Sequence, residues 1–188
     1  MNQFGNLFCS SGQSAIHIIK PDYTITEFEN LSPYNTFGLH TNKDDQLLVC
    51  LQKSNSPGKI AIFSDKGMLV KELCLDSAGE PMFSAPRYVT ETVGGEVCVT
   101  DNKQLIVVDV SGKSYSKYKP EEDWEGKSVI VDSNDNILSA VCPLEFVPLT
   151  IHVTSIQGRV LKRFTIEGPG MSGINVLAID QQYEEPLL

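Results

Sequence analysis

The chain has 188 residues, and 15 Lys plus Arg against 24 Asp plus Glu give a formal charge of −9 and a pI of about 4.8. That balance disfavours nonspecific binding to phosphate backbones, which takes clustered Lys and Arg. With 41% hydrophobic and 21% charged residues the composition is that of a folded chain, and no run of about 18 apolar residues is present to cross a membrane as a helix.

The opening MNQFGNLFCSSGQS lacks a basic stretch followed by a long apolar one, so no secretory leader is read there. Five cysteines, Cys9, Cys50, Cys74, Cys98 and Cys142, lie in or beside apolar runs, none at C-x-x-C spacing. They read as reduced core thiols of a cytoplasmic protein, and no metal or other cofactor is expected.

Four turn-plus-strand segments then recur along the chain: KPDYTITEF, SDKGMLVKEL, VSGKSYSKY and SIQGRVLKRF. Aligned on Asp22, Gly67, Gly112 and Gly158, they are spaced by 45, 45 and 46 residues. Six positions after each turn residue stand Phe28, Leu73, Tyr118 and Phe164. Five and seven positions before it stand Ala15/His17, Ile60/Ile62, Leu105/Val107 and Ile151/Val153, an alternation that marks one face of a strand. In the first copy this alignment puts His17 in an apolar slot.

Upstream in each unit lies a second strand pair, FGLHTNKDDQLLVCL, RYVTETVGGEVCVTD and SVIVDSNDNILSAVC, broken by polar turns. Four short antiparallel strands per unit of about 45 residues predict propeller blades. A β-sandwich would not require units of matching length, and a solenoid period is usually shorter. The expected units are residues 1–32 (lacking its first strand), 33–80, 81–126 and 127–173, then a strand at 174–180 and a tail at 181–188. The fold class is therefore all-β, a propeller segment of about four four-stranded blades. A ring of six such blades needs roughly 250 residues, so the expectation is an incomplete ring.

VIVDSNDNILSAVC followed by TIHVTSIQGRVLKRF resembles the NHL repeat. Val131, Asp132, Asn136 and Ile137 match its first half, and Ile151, Val153, Gly158, Leu161 and Phe164 its second. EVCVTDNKQLIVVDVSGK and KIAIFSDKGMLVKEL match less fully. The likeness is to the C-terminal propellers of tripartite-motif proteins, though the family's Asn-His-Arg loop is missing and its basic position is held by Lys59, Gln104 and Thr150. The resemblance implies a non-catalytic, protein-binding module, the partner-recognition part of a tripartite-motif ubiquitin ligase-like protein.

Several candidate residues follow. The loop PLEFVPL carries Leu144, Phe146 and Leu149 between or beside two stiffening prolines, and the sole Trp, Trp124, stands among four acids; these are the candidate partner contacts. Lys113, Lys117 and Lys119 share strand parity and are the candidates for the alternative of RNA binding, as some NHL propellers do. A further alternative is a metal-dependent, lactonase-like enzyme, although His17, His40 and His152 fall at different repeat positions. Neither membrane nor DNA is expected as a partner. Asp101, Asp109 and Asp132 read as carboxylates that accept backbone N–H groups at strand ends.

Overall fold

The runs LLVCL, IAIF, VCV and LIVV are too short for helices and rich in branched side chains, and each forms a strand rather than a helix. In the computed structural model, residues 1–113, 115–120, 124–143 and 149–166 are described. They form four antiparallel sheets. The first holds β1 (Leu7–Ser10), β2 (Ala15–Ile19) and β3 (Ile25–Asn30). The second holds β4 (Asn35–Thr41), β5 (Leu47–Lys53), β6 (Ser56–Phe63) and β7 (Leu69–Leu73). The third holds β8 (Pro86–Glu91), β9 (Val97–Asp101), β10 (Gln104–Val108) and β11 (Tyr115–Tyr118). The fourth holds β12 (Trp124–Val131), β13 (Ile137–Pro143), β14 (Leu149–Thr154) and β15 (Val160–Ile166). Strand order follows chain order in every sheet, so each is a meander blade. β12 opens before residue 126, so the unit boundary read from the sequence falls inside it. The expected strand at 174–180 and the tail at 181–188 lie outside the described residues.

The blades stack, and side-chain parity decides which neighbour each residue meets. In the second blade Leu47, Val49, Leu51, Ala61 and Phe63 pack on Ile16 of the first, with Phe8 and Phe28 at the edge. On the other face Leu48, Cys50, Ile60, Ile62 and Leu73 meet Val97, Val99, Ile106 and Val108 of the third. The third blade's reverse face, Cys98, Leu105, Val107 and Tyr118, meets Val129 and Ile137 of the fourth. Inner strands approach closely. A Cβ on Gly38 of β4 would stand 2.6 Å from the carbonyl oxygen of Arg87 and 2.7 Å from the Cα of Tyr88 in β8, so only glycine fits there.

Two sets of hairpin turns repeat with the blades. The turns that lead into β1, β5, β9 and β13 begin at Asn2, Asn42, Thr92 and Asp132 and put Gly5, Asp45, Gly95 and Asp135 at positive φ. They also tie blade to blade. Gln3 N donates to Asp45 Oδ1 at 2.8 Å and Val93 N to Asp135 Oδ1 at 2.9 Å, while Lys43 Nζ donates to the Val93 carbonyl at 2.9 Å.

The outer turns correct the sequence alignment. Lys20, Ser64, Asp109 and Ser155 each accept at the backbone carbonyl from the residue three on, which is Tyr23, Gly67, Gly112 and Gly158. These four share φ between 63° and 81°, so Tyr23, not Asp22, is the counterpart of the glycines. The slip of one residue inverts the assigned face of β2. Ile16 and Ile18 hold the slots equivalent to Ile60 and Ile62, and Ile16 is fully buried. His17 is half-buried on the opposite face, not in an apolar slot. Ile16→Ala should therefore lower stability by about 2–4 kcal/mol, and His17→Ala by less than about 1 kcal/mol. Urea denaturation of the two variants checks the order, and the reverse order would restore the original alignment.

Candidate functional site

Where the second and third blades meet, the turn joining β5 to β6 and the segment entering β8 enclose a groove of about 470 Å³. Its floor is Met82 and Phe83, both buried, and its shoulders are Pro57 and Pro81. Asn55, Ser56, Ser84 and Gln104 supply a polar rim, and Lys117 of β11 closes one side. The prolines hold the walls in shape, which limits the entropy lost when a ligand is ordered there.

A buried carboxylate fixes this groove from behind. Asp101 at the end of β9 is inaccessible to solvent. It accepts the N–H of Ser84 at 3.0 Å, the N–H of Ala85 at 2.6 Å and the Ser84 hydroxyl at 3.0 Å. Gln104 Nε2 donates to it at 3.2 Å, which leaves the Gln104 carbonyl oxygen for other partners. A charge so buried is tolerable because each lone pair meets a donor. Asp132 likewise caps its own turn, accepting from Asn134 N at 2.9 Å and Asn136 N at 2.8 Å, and Asp109 accepts from the Ser111 hydroxyl at 2.7 Å. All three carboxylates thus act in the structural way the sequence suggests.

Lys117 is exposed, with its ammonium 4.8 Å from the centroid of the Tyr115 ring. Among the described residues no carboxylate forms an ion pair with it. Lys113 precedes β11 and Lys119 follows it, both exposed, so the three lysines run along one outer edge strand instead of converging. Only Lys117 reaches the groove. Trp124 opens β12 and Leu149 opens β14, but their side chains lie outside the described residues, as do Leu144 and Phe146 altogether.

A second groove of about 320 Å³ lies between the third and fourth blades, lined by Glu96, Asp109, Tyr115 and Ile156 among others. Tyr118 and His152 also join these two blades, with Tyr118 Oη 3.0 Å from His152 Nδ1. Burial, assisted by the nearby Arg163 cation, pushes the His152 imidazole down to about 4. His40 is likewise pushed down to about 4, by burial and then by the N-terminal ammonium. With the corrected register His17 and His152 occupy equivalent strand positions, contrary to the reading from sequence, yet they belong to the first and last blades. Among the described residues no group of three His, Cys, Asp or Glu is placed to hold a metal ion. Cys50 and Cys98 are buried as expected of core thiols, and burial pushes both thiols up, whereas Cys9 is exposed on β1.

The groove was not read from the sequence, although one signal was present. EPMFSAP places two large apolar residues between prolines in an inter-blade connection, where turn residues alone would suffice. Its convergence with Lys117, some 35 residues away, depends on how blades stack, which local pattern does not encode.

No protein-family model matches the sequence, and no curated protein matches it. Solved structures match in shape. A protein of unknown function from Bacteroides caccae aligns with a TM-score of 0.62 and 15% identity, over 85% of this chain and 57% of that one. Virginiamycin B lyase from Staphylococcus aureus aligns at 0.57 and 16% identity, over 90% of this chain and 69% of its own. The WD40 β-propeller domain of Doa1 aligns at 0.62 and 13% identity, over 88% and 52%. This chain thus spans little more than half the length of the Bacteroides and Doa1 chains. The shared feature is the fold: four blades of a β-propeller forming a partial ring. The likeness to NHL repeats rests on the sequence positions alone.

The histidines generate a pH prediction. Both have folded values below the 6.5 of the unfolded chain, so the unfolded state binds more protons between these values and stability falls as pH drops from 6.5 towards 4. The thermal midpoint should decline through this window, and His152→Gln should make the decline shallower. An unchanged slope in the variant would remove His152 from the account.

Proposed function

We propose that this chain is a non-catalytic recognition domain that holds an acidic segment of a protein partner in the groove between its second and third blades. The observation that carries this reading is the lining itself. It has a fixed apolar floor, proline shoulders, amide and hydroxyl groups, one ammonium group and no carboxylate. Such a surface favours an extended segment with an apolar residue over Met82 and Phe83 and a carboxylate at Lys117. The blades supply rigidity, and the loops and edge strands supply contacts. The NHL-like positions of the sequence support a tripartite-motif-like parent, in which this portion would select the ligase substrate in the cytoplasm.

RNA is the second reading, supported by the file of Lys113, Lys117 and Lys119 along the exposed edge of β11. It predicts steep loss of affinity with added salt. The acidic-segment reading predicts a particular peptide preference.

Selection of a displayed random-peptide library on the purified chain tests the proposal, with counter-selection on Lys117→Glu. Enriched peptides should carry Asp or Glu beside a large apolar residue and bind the variant about tenfold more weakly or worse, with the melting temperature unchanged. Enrichment of peptides that bind both proteins equally would contradict it. Binding of single-stranded RNA in low salt, with no peptide enriched, would favour the second reading.

A further inference from the structure

The three contacts between blades are variations on one interface, and among the described residues its two halves are both present, unmatched, at the ends of the arc. Each blade turns one parity set towards its successor and the other towards its predecessor. The successor-facing set of the second blade includes Ile60 and Leu73, and that of the third includes Leu105 and Tyr118. Register makes Ile151 and Phe164 their equivalents in the fourth blade. Beside them on this face lie Leu138 and Val153, paired across β13 and β14. Phe164 is 43% exposed.

At the other end, the predecessor-facing set of the first blade is formed by the cross-strand rows Leu7–Ile19–Ile25 and Cys9–His17–Glu27. Leu7 is 49% exposed and Cys9 is exposed, whereas their counterparts Leu47 and Val49 in the second blade and Val97 and Val99 in the third are buried; Ile25 at the rim is 63% exposed, as is its counterpart Leu69 at 54%. β1 also leaves one edge of its sheet unpaired among the described strands. Burying such a face is what every other blade achieves by stacking.

We propose that a second copy of this chain covers the first blade, docking the outer face of its own fourth blade there. The contact is head-to-tail and continues the blade-to-blade interface already formed three times within the chain. It is an apolar contact in the main. The carboxylate that receives an inter-blade N–H at Asp45 and Asp135 is replaced in the first blade by Gly5, as it is by Gly95 where the second and third blades meet, so the aliphatic rows carry the association. Because the two surfaces differ, the association is heterologous: it closes into a ring where the rotation permits and otherwise extends.

Light scattering coupled to size exclusion tests this on the full 188-residue chain. A mass of at least twice 20.7 kDa is expected at micromolar concentration. Leu7→Asp combined with Cys9→Asp should give a monomer, and so should Phe164→Glu. All three side chains are substantially exposed, and circular dichroism confirms the fold, with Leu7→Ser alone as a milder variant. The discriminating step is to mix the two monomeric variants. Each retains one intact surface, so a head-to-tail contact restores a dimer. A monomeric wild-type chain, association that survives both sets of substitutions, or variants that stay monomeric on mixing would each overturn the proposal.

Discussion

A sheet that is apolar on both faces cannot be left alone in water, and this requirement organises the whole molecule. In β5 five consecutive residues, Leu47 to Leu51, are buried, and in β9 all five residues are. No alternation of polar and apolar side chains is present there because neither face meets solvent. Each such Leu, Ile or Val contributes about 1.5–3 kcal/mol only if both flanks are covered. The blades are therefore mutually dependent, as in any stacked repeat. The outer strands show the complement of this rule. In β7, the outer strand of its blade, Leu69 and Val70 are exposed and Leu73, packed beside Ile60 against the third blade, is buried.

Polar groups then fix what apolar burial leaves free. Burial alone tolerates sliding of one sheet over another, since it has no direction. The inner turns remove that freedom by passing hydrogen bonds from blade to blade, and Ser10, Gln52 and Ser116 add side-chain bonds to the Phe37, Pro86 and Ile156 carbonyls across successive junctions. Asp101 does the same for the entry to β8. The groove floor is therefore as rigid as the core beneath it, since Met82 and Phe83 belong to the cluster that joins the second and third blades. A binding surface built on that junction is preorganised by the same contacts that hold the fold together.

Much of the architecture was legible because turn chemistry and strand parity repeat at one period. Gly67, Gly112 and Gly158 announce themselves as positions that need positive φ. The first blade misled because Pro21-Asp22 looks like a turn centre, while the strained position is taken by Tyr23, a residue that gives no such signal. One residue of displacement was enough to turn Ile16 outward and His17 inward on paper. The groove was illegible for a different reason. Pro57, Phe83 and Lys117 come from three segments, each ordinary by itself, and only the stacking of β6, β8 and β11 brings them together. The apolar pair in EPMFSAP hinted at burial, yet nothing in it identified what would lie opposite.

Native-state hydrogen exchange measured residue by residue tests the mutual dependence of the blades most directly. If stacking is what stabilises each sheet, the amides of Cys50 and Ile60 in the second blade and of Val99 and Ile106 in the third should exchange slowest and at a common rate, through one cooperative opening. Protection confined to a single sheet, or two sheets opening at separate rates under the same conditions, would show that each blade stands by itself and would contradict the account.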